Sequence, residues 1–437
     1  MIMSLESMPW WLSIPFVIML LFIAIGPIAF PHWWEKNRNK LIVSLVLGIP
    51  VSLILIFGGL SHELMHQVLF DYIPFIVLLG GLFIVTGGIF LDGDIRATPL
   101  VNTIFLLVGG ILASFMGTTG AAMLLIRPVI HTNSQRNFKV HTILFFIAIV
   151  ANAGGMLTPL GDPPLFLLYL RGAEFSWFFN LVAEWSFVLG FLLIIYYIVD
   201  TYYYKKESAE AIASDETEIR PLKLKGYHNF IFLFGIVLSI AFLNKEYIHA
   251  IHDNHNLAFI REGAILLMCV LSLVTTKNVL RYKQNKFSWH PIVEVAFLFL
   301  GIFITMTPAL LFLRQNAHHL GLTEPSHFYY ATGALSGFLD NAPTAVSFHS
   351  LALSPDIISL FPKETLVAGI PEVILRAIAL GAVFFGAMTY IGNGPNFMIK
   401  AIAEENKINM PSFLAYMVKF SIIVLLPVYI IAQLVFL

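Results

Sequence analysis

Two aspartates sit among helix breakers inside otherwise apolar stretches. Asp162 closes Thr158-Pro159-Leu160-Gly161-Asp162 just before Pro163-Pro164, and Asp340 opens Asp340-Asn341-Ala342-Pro343-Thr344. Asn152, Thr118, Thr119 and Thr158 accompany the first; Asn341, Thr344, Thr389, Asn393 and Asn396 accompany the second. Carboxylate, amide and hydroxyl oxygens are hard ligands of the kind sodium uses, and no soft-metal set occurs at these positions. A carboxylate that can hold either a proton or a cation makes the two compete, which is the minimum machinery of exchange. The spacing suggests two groupings, Asp162 with Thr118, Thr119 and Asn152, and Asp340 with Asn341, Thr344, Asn393 and Asn396. Helix capping is the plainer alternative, because Asp162, Asn393 and Asp340 each precede a proline-marked helix start. Ser, Thr or Asn would cap without an ionisable group at membrane depth, so both acids are read as ion or proton sites.

These residues need elements that hold them within a bilayer. The chain has 437 residues, 58% hydrophobic and 12% charged, and apolar runs of about 20 residues recur along it. Spans are expected near 10–30, 40–60, 73–91, 139–170 (broken), 180–200, 227–244, 258–275, 291–313, 366–398 (broken) and 413–436. The stretches 99–131 and 328–353 are interrupted at their middles and read as re-entrant hairpins. The fold class is therefore an all-α polytopic membrane protein. Residues 1–30 read as the first span and not as a cleaved leader, since the opening carries Glu6 and no basic residue. A single cysteine, Cys269, excludes an intrachain disulfide.

Charge fixes an orientation. With the N-terminus outside, the loops 31–40, 92–98, 127–139, 201–226, 276–290 and 400–410 face the cytoplasm and hold 18 of the 25 Lys and Arg residues. That asymmetry is the one expected of an inner-membrane protein. Internal similarity adds a second constraint. Gly81-Leu82-Phe83-Ile84 matches Gly301-Ile302-Phe303-Ile304, residues 114–121 lie over 337–344, and 158–164 lie over 389–395. The offsets rise from 220 to 223 to 231, as expected of a duplicated unit of span, hairpin and broken span. The copies run in opposite directions across the membrane on this charge map, so the repeat is inverted and the hairpin tips can meet near the midplane. The organisation expected is N-terminal scaffold helices over 1–72, a first repeat over 73–200 and a cytoplasmic linker over 201–226. Scaffold helices follow over 227–290, then the second repeat with a last span over 291–437.

Other polar residues read as structural. Glu372 and Arg376 are spaced to pair along one helix face. Glu294, Asp92 and Asp94 fall at span ends, and the linker charges read as a solvated loop or short surface helix. His62-Glu63-Leu64-Met65-His66 fits the zinc-protease signature, but it falls between two spans, with Ser61 as cap and no third ligand nearby. His252, His255, His318 and His319 form no ligand set.

At its breaks the chain resembles the ion transporter superfamily, which holds NhaD-type sodium/proton antiporters, arsenite permeases, citrate–metal transporters and sodium-coupled dicarboxylate carriers. Leu339-Asp340-Asn341-Ala342-Pro343-Thr344 resembles the Asp-Asn-x-Pro-Thr hairpin tip of the antiporter and arsenite-permease branch. Asn152-Ala153-Gly154-Gly155 with Gly161-Asp162-Pro163-Pro164 resembles that branch's Asn-x-Gly-Gly and Gly-Asp-Pro-Pro motif, and Gly392-Asn393-Gly394-Pro395-Asn396 its second-half counterpart. The resemblance implies a homodimer of two-domain protomers, a scaffold and a transport domain that moves as an elevator. It also implies Asp162, Asn152, Asp340 and Asn341 as ion-site residues. Two departures matter: the Ser-Asn-Thr tips of the dicarboxylate branch are absent, and the first tip reads Gly117-Thr118-Thr119-Gly120 without an acid.

The expectation is a secondary active transporter, not an enzyme, that exchanges sodium for protons. A cation- or proton-coupled carrier of citrate or another organic anion is the alternative, and a zinc-dependent membrane protease the remote one. No cofactor is expected beyond sodium as the coupled or transported ion, at Asp162 and Asp340. The expected partners are the bilayer, small cations, protons and a second copy of the chain, with no nucleic acid.

Overall fold

The computed structural model describes residues 8–217, 219–248, 257 and 259–437. His252 and His255 lie outside the described residues. Eight helices among the described residues are long and apolar enough to cross a membrane. The chain is a polytopic, mainly helical membrane protein.

The N-terminal helices are α1 (Ile14–Ala29) and α2 (Asn37–Phe57). Helix α3 runs without a break over Ser61–Thr86, with a π-helical turn at Gln67–Tyr72. The expected boundary at 72/73 thus falls inside a helix. Ser61 is already in α3; Leu60 holds the cap position and no side chain caps there. The protease-like motif is the first turn of this helix, where the His66 ring packs on Phe70 at 5.3 Å. No three His, Cys, Asp or Glu residues gather around a metal-sized space among the described residues.

After β1 (Phe90–Asp94) come α4 (Pro99–Met116) and α5 (Thr118–Thr132), which pack on each other. The chain reverses at Gly117, whose φ of 79° favours glycine. The first broken span is α6 (Val140–Ile149), a 3-10 turn at Ala153–Leu157, and α7 (Pro163–Leu170). Helix α8 (Val182–Tyr204) leads into the linker, which holds α9 (Ala209–Thr217) and β2 (Arg220–Lys225). Next are α10 (Asn229–Phe242) and α11 (Phe259–Thr275), 14 and 17 residues long and so shorter than the spans expected there. Helix α12 (His290–Gln315) precedes the second interrupted pair, α13 (Pro325–Phe338) and α14 (Asn341–Ala352). A two-residue strand pair, β3 (Leu366–Val367) with β4 (Ile370–Pro371), then precedes the second broken span. That span is α15 (Glu372–Phe385), a 3-10 turn at Gly386–Met388, and α16 (Gly394–Glu405). Helix α17 (Phe413–Phe436) closes the chain.

The linker departs from expectation. Strand β2 pairs antiparallel with β1, so the fold is not purely helical. Lys225 bonds Asp92 at 2.7 Å, and that ammonium holds the Asp92 carboxyl below its usual range. Glu207 is buried and accepts from the Asn137 and Phe138 amides at 3.0 and 2.8 Å, just ahead of α6. Asp215 accepts from Ala97 N at 2.9 Å, just ahead of α4. An anion near a helix start is favourable, so these linker acids fasten the entries of the hairpin and the broken span. Asp94 also differs, being 4% exposed and not solvated. Glu294 pairs with the buried Lys40 at 2.7 Å.

Several buried charged residues elsewhere are held in pairs, as a low-dielectric interior favours. Asp200 takes both Arg136 nitrogens at 2.7 and 3.0 Å and His141 at 2.7 Å. Arg376 reaches Glu372 at 3.5 Å as the spacing predicts, but it lies closer to Glu184, at 2.6 Å, on α8. Glu184 was not singled out from sequence, because nothing local marks its partner 192 residues away.

The end of α3 depends on donors from a distance. Arg281 donates to the Ile84 carbonyl and, at 3.0 and 2.8 Å, to the carbonyl and hydroxyl of Ser272. Asn285 donates to the carbonyls of Gly87 and Ile89, and Asn229 to that of Gly88. Arg281→Ala should therefore destabilise the protein by about 2 kcal/mol or more, since buried acceptors lose their donor. Thermal unfolding of the detergent-solubilised variant checks this, and an unchanged midpoint would mean these carbonyls find other donors.

Candidate functional site

The four interruptions meet at one point. Asp162 ends the first break and is 1% exposed. Its Oδ1 accepts from Thr118 Oγ1 and Asn393 Nδ2, both at 2.9 Å, and its Oδ2 accepts from Asn341 Nδ2 at 2.7 Å. Thr118 comes from the first tip, Asn341 from the second and Asn393 from the second break. Three neutral donors thus hold one carboxylate, and among the described residues no Lys, Arg or His bonds to it. Asp162 occupies the cap position of α7 but makes no cap bond with its side chain. The capping alternative does not account for it.

The network continues through amides. Asn152 donates to the Ile147 carbonyl and to Asn396 Oδ1, each at 2.8 Å. Asn396 donates to the carbonyls of Gly386 and Thr389 at 2.8 and 2.9 Å. Asn393 Nδ2 lies within 3.0 Å of the Ala151 carbonyl and 3.2 Å of Asn152 Oδ1, besides Asp162. Thr118, Asn152, Asn341, Asn393 and Asn396, drawn from both groupings expected from sequence, are therefore joined in one network around Asp162. Asn341 and Asn393, expected beside Asp340, bond to Asp162 instead, because the tips and breaks interleave.

Asp340 has a different setting. Its side chain accepts from Ala342 N at 3.0 Å, so it caps α14. It also lines a cavity of about 100 Å³. Thr118, Thr119, Asn393, Gly394 and Pro395 share that lining, with α3 and the start of α12 as the apolar wall. No Lys, Arg or His lines it. Helices α5, α7, α14 and α16 all begin around the two acids, and their N-terminal dipoles favour negative charge.

Three expected ligand threonines are committed elsewhere. Thr158 donates to the Ser114 carbonyl and accepts from Leu160 N. Thr389 donates to the Gly337 carbonyl at 2.5 Å and accepts from Ile391 N at 3.1 Å. Thr344 donates to the Asp340 carbonyl at 2.8 Å. Each hydroxyl hydrogen is spent on the backbone, so these residues shape the breaks. Thr119 lines the cavity.

Freed carbonyls are also largely taken. Ser114 Oγ donates to Gly154 O at 2.5 Å and Ser336 Oγ to Ala382 O at 2.6 Å. Tyr416 and Ser421, on α17, donate to Ala387 O and Met388 O at 2.7 and 2.8 Å. Sequence reading did not pick out these four donors; a hydroxyl inside an apolar run was the available signal. The breaks need glycine as well. A Cβ on Gly392 would lie 2.6 Å from the Gly386 carbonyl, and one on Gly161 would collide with that of Gly155.

Several buried side-chain atoms among the described residues have no partner, and one of them belongs to this network. Asn341 gives its amide to Asp162, and its Oδ1 is buried without a donor. An unpaired acceptor beside a carboxylate is an arrangement that a cation satisfies.

The chain matches, over residues 5–437, the model of a family described as "Putative citrate transport". It is also similar to the inner membrane protein YbiR of Escherichia coli (strain K12), at 22% identity over 285 residues, 62% of this chain and 69% of that protein.

Asn152→Ala removes a donor to two acceptors and should cost about 2–3 kcal/mol. Asn396→Ala should cost a similar amount, and the double variant distinctly less than the sum, because the two share a bond. Thermal or denaturant unfolding in detergent checks this; additive losses would show that the amides act independently.

Proposed function

We propose, from the premise that this chain belongs to the citrate-transport family whose model it matches, that it is a secondary active transporter of the inner membrane exchanging sodium for protons at Asp162 and Asp340. The family is one of transporters, not of enzymes. The observation that carries the finer reading is the bonding of Asp162. Its carboxylate is held by Thr118, Asn341 and Asn393, all neutral, beside the unpartnered Oδ1 of Asn341. A permanent Arg or Lys partner would neutralise the acid once and for all. Without one, the acid's charge must be balanced by a proton or by a cation, and the two exclude each other. The small cavity at Asp340 suits an ion with a few waters, each of which takes roughly 30 Å³.

The interruptions are read as two re-entrant hairpins and two broken helices of an inverted repeat. Equivalent bonds favour this. Thr158 to Ser114 O and Thr389 to Gly337 O join residues matched by the offsets of 231 and 223. The hairpins and broken helices form the moving domain of an elevator, the remaining helices the scaffold of a homodimer, with the N-terminus outside and the linker 201–226 cytoplasmic.

A second reading is a cation- or proton-coupled carrier of citrate or a related anion. The family's description favours it, and four helix N-termini around one cavity could hold a carboxylate.

Everted vesicles with a pH-sensitive dye separate the two. Sodium addition should dequench the dye with the parent protein, and Asp162→Asn or Asp340→Asn should reduce the response at least tenfold at every pH. Asp340→Asn activity equal to the parent's across pH would end the antiport reading. Labelled citrate uptake into proteoliposomes, without sodium-driven proton movement, would establish the second.

A further inference from the structure

Away from the two acids, one surface carries several exposed cations outside any salt bridge among the described residues. Strands β1 and β2 join the ends of α3 and α10, and the π-helical segment Val279–Gln284 between α11 and α12 lies against β1. Arg281 and Asn285 pin this segment to the end of α3, so the surface is preformed. Arg220, Lys223, Lys277, Lys283 and Lys286 are exposed on it, and none forms a salt bridge among the described residues. Lys225 is already paired with Asp92.

Apolar side chains are interleaved with these cations. Leu222 and Leu224 alternate with Lys223 and Lys225 along β2 and are 40% and 44% exposed. Tyr227, Tyr282 and Trp289 are exposed beside them, at 70%, 41% and 43%. Alternation along a strand puts Leu222 and Leu224 on one face and the lysines on the other. Aromatic rings with one wet end suit the headgroup level of a bilayer. Exposed cations outside salt bridges, next to apolar side chains at the ends of membrane helices, are complementary to an anionic headgroup whose chains run along the same protein surface.

We propose that this platform is a binding site for anionic phospholipid, with the headgroup phosphate among the exposed cations of β2 and of residues 277–286 and the acyl chains against the apolar side chains interleaved with them. Because β2 belongs to the linker and β1 to the end of α3, a bound lipid bridges the linker to the first half of the chain.

The test uses the full-length protein in phosphatidylcholine nanodiscs doped with phosphatidylglycerol, with retained lipid read by native mass spectrometry. The parent should retain phosphatidylglycerol over phosphatidylcholine, and raised salt should weaken that preference. Replacing all five cations by Gln should cut the preference at least tenfold. A control with Lys245→Gln, Arg314→Gln and Lys363→Gln should leave it intact. If the fivefold variant fails to fold, the halves (Arg220 with Lys223, or Lys277 with Lys283 and Lys286) should each lower it partway. An undiminished preference in folded variants would overturn the proposal. So would displacement of the lipid by inorganic phosphate at equal concentration, which would make this a site for free phosphate.

Discussion

A helix that breaks inside hydrocarbon leaves carbonyls that water cannot reach, and each must find a donor within the protein. This constraint explains residues that would otherwise look incidental. Ser114, Ser336, Tyr416 and Ser421 each give a hydroxyl to a carbonyl at or beside a break. Asn396 alone serves two, and Thr158 and Thr389 hold each break to a neighbouring helix end. These bonds occupy the carbonyls of Gly154, Ala382, Gly386, Ala387, Met388 and Thr389.

Electrostatics then distinguishes the acids from the other charged residues. Asp200 is paired with Arg136, Asp71 with Arg171 and Glu184 with Arg376, so each of these negative charges is cancelled within the fold. Asp162 and Asp340 have helix starts and neutral amides instead. Partial charges from amides and dipoles stabilise an anion without neutralising it.

Much of this was legible in the sequence, for reasons that can be named. Proline and glycine mark where a helix cannot continue, so the interruptions at 117, 153–162, 339–340 and 386–393 were found to within a few residues. Asp162 and its amide and hydroxyl neighbours were identified by type. How they divide was not, because Asn341 and Asn393 reach Asp162 across 179 and 231 residues and nothing local encodes that choice. The linker holds the short helix that its composition allowed, but two of its acids were misread for a related reason. Its acids look solvated in a polar run, yet Glu207 and Asp215 bond to backbone amides that only the tertiary fold presents. The strand pairing of β1 with β2 was hidden in the same way. The boundary between 72 and 73 followed from a span expected at 73–91, whereas the helix begins at Ser61 and carries a π-helical turn at Gln67–Tyr72 just before Pro74.

The amide of Asn393 has two hydrogens and three acceptors within reach: the Ala151 carbonyl, Asn152 and Asp162. One acceptor is always left short. The amide is shared among these acceptors, so moving it from one to another changes the centre by a single bond. Reorganising such a centre does not require its network to be dismantled first. A fully satisfied cluster would have to break a bond before any of its members could move, and this one does not.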